Sequence, residues 1–600
     1  MALGFYTSKE LRPSGWLRDQ LEIQANGLAG NLDKVWADVR DSKWIGGDRE
    51  GWERVPYWLC GFVPLAYLLD DDDLKSRAKR YIDAILAFQR PDGWICPCSD
   101  DEIPTYDTWA LMQLSRAFVI YYECTGDEQI TASLYKALKN YYSLLSEGKI
   151  RLFSWGKFRW FELFDALDLI YGIYREEWIP SLAAILKSQG ASYSDFEDRW
   201  IRPLNKWTIE THVVNLAEMI KIEGITKNLL GGIYNGQAEK HYGLLMEYNG
   251  TPAGIFTGDE CLSGLSPIQG TELCAVVELM YSCKVMYKAT GDTVWLERLE
   301  KAAFNALPAA LSDDMWTHQY DQMSNQISCE IFPGRSVFRT NNGDAHIFGL
   351  EPNYGCCTAC HGRGWTDTAL SAFSYDDGTI ISSLPIPSVL NDGSTTIEVK
   401  TDYPFGNRVE YAVKTQKPFT FKVRVPEGCT ALLPGGKKVT SGNYAIFGIR
   451  NDCDLVIDFE REAVILSRPH GLSSVMYGSL VFALPIEYEK KMREYTAGGV
   501  ERRFPYCDYE YVGKSEWRYA LCGSFFNVRF NGVGKIPFSS VTPPITIGTD
   551  LARIDWDYED GFDTVCSKLP PEKVFPYGKE TKQLFPYGCA KLRITEMRKI

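Results

Sequence analysis

The spacing of apolar positions divides the chain in two. From about residue 15 to 372 apolar residues recur with a helical period, as in WLCGFVPLAYLL (58–69), AKRYIDAILAFQ (78–89), TWALMQLSRAFVIYYE (108–123) and ELCAVVELMYSCKVMYKA (272–289). Linkers carrying helix stop signals separate such runs: RPDGW (90–94), CTGDE (124–128) and ATGDT (289–293). Roughly a dozen helices of this kind, each strongly apolar on one side, predict an α-solenoid or a closed toroid of helix pairs. No fixed repeat of about 34 or 40 residues runs through them, which weighs against the solenoid. The connections at 44–52, 94–105 and 251–270 are long and rich in Gly, Asp and aromatic residues. A site on one rim of a helical barrel would be built from such loops.

Past about residue 376 the period becomes two. TTIEVKTDYPF, RVEYAVKT, FTFKVRVP, DLVIDFE and SVMYGSLVFAL alternate apolar and polar residues between turn signals, the pattern of one or two β-sandwiches. LFPYGCAKLRIT (584–595) reads as a closing strand pair. The predicted fold class is multidomain α+β: a helical catalytic domain over 1–375, a β-sandwich over 376–480 and a C-terminal β-sandwich over 481–600.

Length and composition agree with that division. A chain of 600 residues exceeds one ordinary core, and 45 % apolar with 24 % charged residues is the composition of a folded protein. The balance of 64 basic against 78 acidic residues, a net −14, argues against a nucleic-acid or anionic-membrane partner, because no positive surplus exists to neutralise phosphates. No run of about 18 apolar residues occurs, so no membrane span is expected. The N-terminal stretch has no basic region followed by an apolar one, which leads us to expect a cytoplasmic protein whose 17 scattered cysteines are mostly reduced. Assembly with further copies of the same chain is compatible with this surface.

Two stretches concentrate the chemistry: GTELCAVVELM (270–280) and NYGCCTACHGRGW (353–365). Cys357 to His361 spells C-x-x-C-H, yet covalent haem attachment needs export machinery, and a thioredoxin-like pair needs a βαβ context that the helical flanks do not offer. A metal site is better supported. Glu272 and Cys274 would point about 200° apart on an ideal helix. They can share a metal only if residues 271–274 lead non-helically into the helix that follows, as Pro267 and Gly270 favour. Cys356 and Cys357 are neighbours and so demand an irregular backbone, which Gly355 would permit. Glu272, Cys274, Cys356 and Cys357 would make a tetrahedron of three sulfurs and one oxygen, suited to Zn²⁺. Buried structural cysteines are the competing reading, since free Cys packs well in cores.

Further stretches join these two in one order from end to end. They are GWLRDQLEIQANGLAGNL (15–32), SKWIGGDREGWERVPYWL (42–59), FSWGKFRW (153–160), THVVN (211–215), FTGDECLSG (256–264), GTELCAVVE (270–278), YGCCTA (354–359), TDYPF (401–405) and PYGCAKLRIT (586–595). On them the chain resembles glycoside hydrolase family 127, the β-L-arabinofuranosidase family. The resemblance implies an (α/α)6 barrel followed by β-sandwich domains. It also implies a retaining exo-glycosidase that releases terminal β-L-arabinofuranose, or a related pentofuranose, from a small oligosaccharide or glycoside. By the same resemblance Cys356 is a zinc-bound nucleophile, Glu272, Cys274 and Cys357 complete the zinc shell, and Glu260 is the general acid/base, with Asp259 its nearest competitor.

That chemistry is coherent. A free thiol is mostly protonated at neutral pH, and zinc would hold it as the reactive thiolate. A closed four-ligand site usually reads as structural, but here the nucleophile is itself a ligand. Glu260 must start protonated, so a partly desolvated site is expected.

His212 in THVVN and His318 in WTHQYDQ are candidate sugar contacts, against the reading as hydrogen-bonded core histidines. Tyr320 is a candidate contact to the thiolate or the sugar. Trp52, with Trp44 and Trp160, is a candidate apolar face for the sugar, with core packing as the alternative. After Cys357 the chain leaves the family pattern: Cys360, His361, Gly362 and Arg363 stand there, which puts the sugar preference in play. Two other functions compete. A helical-barrel epimerase or isomerase would want paired central histidines, and only six histidines occur. A carbohydrate-binding protein with a structural zinc would not need the intact set of Glu260 and the four candidate ligands.

Overall fold

The computed structural model describes residues 3–232 and 234–600. Buried and half-exposed helices alternate along the first part of the chain. Arg54–Leu69, Trp109–Thr125 and Leu273–Thr290 bury residues on nearly all sides. Each packs on the helix that follows it, Asp72–Phe88, Glu128–Ser146 and Val294–Lys301 respectively, and these bury a single stripe. The reason is in the side chains. The buried helices carry few charges, whereas the half-exposed ones interleave Lys, Arg, Asp and Glu between apolar positions three and four apart. Fully burying one Leu, Phe or Val contributes about 1.5–3 kcal/mol, so the dry helices carry much of the stability here.

The predicted punctuation is where the helices end. Asp71 and Asp127 cap Asp72–Phe88 and Glu128–Ser146, accepting from Leu74 N and Gln129 N at 3.0 Å each. At the other end of Leu273–Thr290, Gly291 takes a φ of +72°, a left-handed turn-out that glycine adopts without strain.

Among the described residues the strands form three principal sheets. One has seven strands and one has five, and both take an edge strand from the first residues of the chain. Gly4–Phe5 pairs with Phe373–Asp376, and Leu11–Pro13 with Ser388–Asn391. The two sheets face one another at Tyr411, whose ring lies 5.2 Å from that of Phe421 and whose hydroxyl meets Ser382 Oγ at 3.0 Å. Burial alternates along Thr395–Thr401 and Arg408–Thr415 as the sequence pattern does. The third sheet, of ten strands, includes Leu472–Tyr477, Leu480–Pro485, Ile545–Arg553 and Tyr577–Pro586.

The expected closing strand pair at 584–595 is corrected. Tyr577–Pro586 and Arg593–Ile594 do not pair with each other; both pair with Leu480–Pro485. A 3-10 turn at Tyr587–Cys589 carries the chain over that strand instead of forming a hairpin. Arg593–Ile594 also pairs with Asn325–Gln326, and Arg593 Nη2 donates to Met323 O at 2.7 Å. The C-terminal strand thus braces the segment that carries Tyr320. Among the described residues no helix is long and apolar enough to cross a membrane.

Candidate active site

Thr271–Glu272 is a two-residue strand paired with Asp321–Gln322, and the helix Leu273–Thr290 starts immediately after it. Glu272 is extended (φ −67°, ψ 131°), so its side chain and that of Cys274 converge as the non-helical approach requires. The expectation for Cys356 and Cys357 is corrected. Both lie in a helix, Gly355–Cys360, and need no irregular backbone. Positions 356, 357 and 360 fall on one side of a helix, which suffices to aim both sulfurs at Cys274. Gly355 is required for space rather than conformational freedom: a Cβ there would come within 2.7 Å of the Trp36 ring and 3.1 Å of Arg54 Nε.

The donor atoms of Glu272, Cys274, Cys356 and Cys357 all lie within 4.8 Å of one another. Cys274 and Cys357 are buried, while Cys356 keeps part of its surface. That surface faces a cavity of about 250 Å³ lined by Glu272, Cys274, Cys356, Glu260, His212 and Tyr320, by the aromatic rings of Trp52, Tyr57, Trp155, Trp207 and Tyr354, and by Arg54 and Arg159.

The Tyr320 hydroxyl is the hub of the polar wall. It donates to Glu260 Oε1, lies 3.1 Å from Glu272 Oε1 and lies 3.2 Å from Cys356 Sγ. The other oxygen of Glu260 has His212 Nε2 at 3.3 Å and accepts from Trp207 Nε1 at 3.4 Å. Glu260 carries a φ of +154°, sparsely populated for a residue with a Cβ. It is held there by Val213 N donating to Glu260 O at 2.8 Å and by Cys261 N donating to Thr340 Oγ1 at 3.1 Å. Its competitor Asp259 is spent on structure: it accepts from Gly270 N, Ser263 Oγ and Arg339 N.

Electrostatics single out one sulfur. Hydrogen bonds from Cys274 and then Cys357 hold the Cys356 thiol well below the usual range against the cost of burial, with Arg54 and Tyr320 adding to them. Burial pushes Cys274 and Cys357 well above it. Burial also raises Glu272, and Glu260 and the Cys356 sulfur raise it further. Among the described residues Glu272 Oε2 is buried with no hydrogen-bond partner. A carboxylate in that position, facing three soft donors, fits a thiophilic cation such as Zn²⁺.

Other candidates fall elsewhere. His318 does not line the cavity: its Nδ1 lies 3.0 Å from Gln319 O, its Nε2 3.1 Å from Thr358 Oγ1, and its ring stacks on His361. Both ring nitrogens are therefore used inside the protein. Trp44 donates to Trp52 O and Trp160 to Ala191 O, both within the core. Trp155 and Trp207 line the cavity instead of Trp44 and Trp160. Loops 44–52 and 251–270 reach the cavity through Trp52 and Glu260, whereas 94–105 contributes no lining residue.

Sequence reasoning did not single out Glu53, Arg54, Tyr57, Trp155, Arg159, Trp207 or Tyr354. Five of them stand in the motifs SKWIGGDREGWERVPYWL and FSWGKFRW, but a charged or aromatic residue beside a buried helix carries no local mark of which way it faces. Arg363, in the departing stretch, is also explained. Beneath the cavity Glu162, Glu218 and Glu278 cluster as a potential metal site. Arg159 meets Glu218 at 3.0 Å, Arg363 meets Glu278 at 2.9 Å, and Arg116 and Lys221 add further cations. Those side chains already neutralise the carboxylates, which makes this a buried ion network.

No family model matches the chain, and no curated protein sequence does. Solved structures match over its whole length. A GH127 β-L-arabinofuranosidase from Geobacillus stearothermophilus T6 has a TM-score of 0.71 at 15 % identity, with 98 % of this chain and 99 % of that one covered. A structure described as a glycoside hydrolase has a TM-score of 0.71 at 13 % identity, with 100 % and 98 % covered. A second GH127 β-arabinofuranosidase has 0.68 at 13 % identity, again with 100 % and 98 % covered. At such identities the likeness is one of fold, and it embraces the helical and the β-rich parts together.

Proposed function

We propose that the protein is a retaining exo-glycoside hydrolase that releases terminal β-L-arabinofuranose, or a related pentofuranose, with Cys356 as nucleophile and Glu260 as general acid/base. One observation carries this reading: Cys356 Sγ and the Glu260 carboxylate share one cavity, both within hydrogen-bond reach of the Tyr320 hydroxyl. The whole-length likeness in fold to GH127 structures supports it. The accompanying domain division is an (α/α)6 barrel over 1–375 with β-sandwiches over 376–480 and 481–600. The helix pairs support it, and residues 4–13 lend edge strands to the middle unit.

Glu272, Cys274, Cys356 and Cys357 would hold Zn²⁺, which when bound keeps thiols ionised at neutral pH. The chain's own groups do the rest. Cys356 Sγ attacks the anomeric carbon while Glu260 gives its proton to the departing oxygen, and the carbon–oxygen bond breaks. Glu260 then takes a proton from water, whose oxygen bonds the same carbon and frees the Cys356 sulfur. Two displacements at one carbon retain its configuration. The Tyr320 hydroxyl orients one oxygen of Glu260, and His212 and Trp207 orient the other, so the proton is delivered from a fixed position. Trp52 and Trp155 offer apolar faces to the ring. A cavity of about 250 Å³ falls just below the roughly 300–1,000 Å³ of sites for drug-sized ligands and suits one terminal sugar.

The test is metal analysis together with hydrolysis of an aryl β-L-arabinofuranoside by the wild type, Cys356→Ser and Glu260→Gln. We expect one zinc per chain and a loss of at least about 10²-fold in kcat for each variant. Wild-type turnover in both variants would sink the mechanism.

A further inference from the structure

A second set of donors lies beside the cysteine cluster. His212, Glu260 and Glu272 each bring one ligand atom within 4.8 Å of the others. They are 4 %, 5 % and 0 % exposed, and all three line the cavity. The Tyr320 hydroxyl donates to Glu260 and lies 3.1 Å from Glu272 Oε1, which ties the two carboxylates to one oxygen. Their charge is left unbalanced. Among the described residues neither carboxylate forms an ion pair with Lys or Arg, and His212 Nε2, 3.3 Å from Glu260 Oε2, is the one basic group against them. The charged neighbours that act most on Glu272 are Glu260, the Cys356 sulfur and Asp321, all of them anions. The cluster of Glu162, Glu218 and Glu278 differs in this respect, because Arg159, Arg363, Arg116 and Lys221 already fill it.

We propose that His212, Glu260 and Glu272 form a second, weaker divalent-cation site, joined to the cysteine centre through Glu272, and that an ion bound there switches off the acid/base. The inference rests on the metal reading of Glu272, Cys274, Cys356 and Cys357, and its effect on turnover rests on Glu260 as acid/base. A carboxylate has two oxygens, and Glu272 Oε2 is buried with no hydrogen-bond partner among the described residues, so Glu272 has an oxygen for each ion. Charge favours the second ion. The ligands of the first centre are all anionic when loaded, which leaves that centre negative around one dication. One imidazole and two carboxylates suit Zn²⁺, Co²⁺ or Mn²⁺ but lack the thiolates that hold zinc most tightly, so the second ion binds only when metal is in excess. Once bound, it takes the Glu260 lone pair that otherwise carries the proton to the leaving oxygen. The alternative is a purely hydrogen-bonded Glu260, with Tyr320, His212 and Trp207 as its partners.

The experiment adds Co²⁺ to zinc-loaded enzyme freed of excess metal. Bound cobalt and retained zinc are counted by equilibrium dialysis, the donors are read by absorption, and hydrolysis of an aryl β-L-arabinofuranoside is followed in parallel. We expect one cobalt per chain beside the retained zinc, no thiolate-to-cobalt absorption, and saturable inhibition whose midpoint matches the cobalt Kd. His212→Gln and Glu260→Gln should keep their zinc and bind cobalt at least about 10–100-fold more weakly, since losing a ligand costs no less than losing an outer partner. No saturable cobalt binding, a thiolate absorption band, or wild-type affinity in His212→Gln would overturn the proposal while leaving the proposed function standing. Cobalt bound without inhibition of an active enzyme would overturn the switch. Cobalt bound as expected to an enzyme that never hydrolyses the substrate would keep the site and sink the proposed function. A wild type that binds no zinc would overturn both. Stoichiometry and donor type come from the wild type alone, so they do not depend on a variant folding.

Discussion

The Tyr320 hydroxyl lies 3.2 Å from the Cys356 sulfur while donating to Glu260. It connects the candidate nucleophile with the candidate proton donor, although the three residues come from three separate segments of the chain. A hydrogen bond to a charged group contributes about 1.5–3 kcal/mol. Tyr320→Phe is therefore expected to lower kcat by about 10–100-fold and to displace the pH–rate profile, since Glu260 loses its donor and Cys356 loses the hydroxyl beside its sulfur. An unchanged kcat and profile would remove Tyr320 from the mechanism.

Gly355→Ala tests why the sulfurs can approach Cys274. The added methyl group would press on the Trp36 ring at 2.7 Å and on Arg54, so the helix Gly355–Cys360 must shift. Overpacking of this kind costs about 1–3 kcal/mol. We expect a lower unfolding temperature and weaker zinc affinity together. Wild-type values of both would mean that the spacing is not tight.

The ion network beneath the cavity predicts a stability effect with a definite pH sign. Burial alone would raise the Glu278 carboxyl, but Arg116, Arg363 and Lys221 reverse this and hold it at about 2, below its ordinary 4.5. A lowered folded pKa means that the contribution is full above about pH 4.5 and is lost as pH falls toward 2. Glu278→Gln leaves those cations uncompensated and should destabilise by about 3–5 kcal/mol at neutral pH. The difference between the variant and the wild type should shrink in acid, as measured by denaturant unfolding across that range. A difference independent of pH would contradict the ionised assignment.

The two histidines singled out by sequence should separate in kinetics. His212→Gln removes a ring that contacts Glu260 at 3.3 Å from the cavity wall, and kcat/KM should fall by about 10-fold or more. His318 is buried, held neutral by a pKa lowered to about 4, and bonded to Gln319 and Thr358. His318→Gln should cost about 1–3 kcal/mol of stability with KM unchanged. A raised KM in the His318 variant would return that residue to the site.

Local periodicity by itself determined much of the fold. The helices around residues 58–69, 78–89, 108–123 and 272–289 and the strands from Thr395 to Pro485 are written in the spacing of apolar side chains, because burial acts on each element separately. The chemistry of Glu272, Cys274, Cys356 and Cys357 was legible as well, since soft donors in close spacing are rare and Glu272 needed only a non-helical position before a helix.

Tertiary structure decided what depends on two segments meeting. It assigned Asp259 to loop architecture and Glu260 to the cavity, although they are neighbours in sequence. It withdrew His318 into the core and brought Trp155, Trp207 and Arg159 to the wall. It also turned Cys360 from a departure beyond the motif into a sulfur 3.3 Å from Cys274, across 86 residues of chain. A side chain's direction at the end of an element is set by what packs against that element, and the spacing of neighbours in sequence holds no record of it.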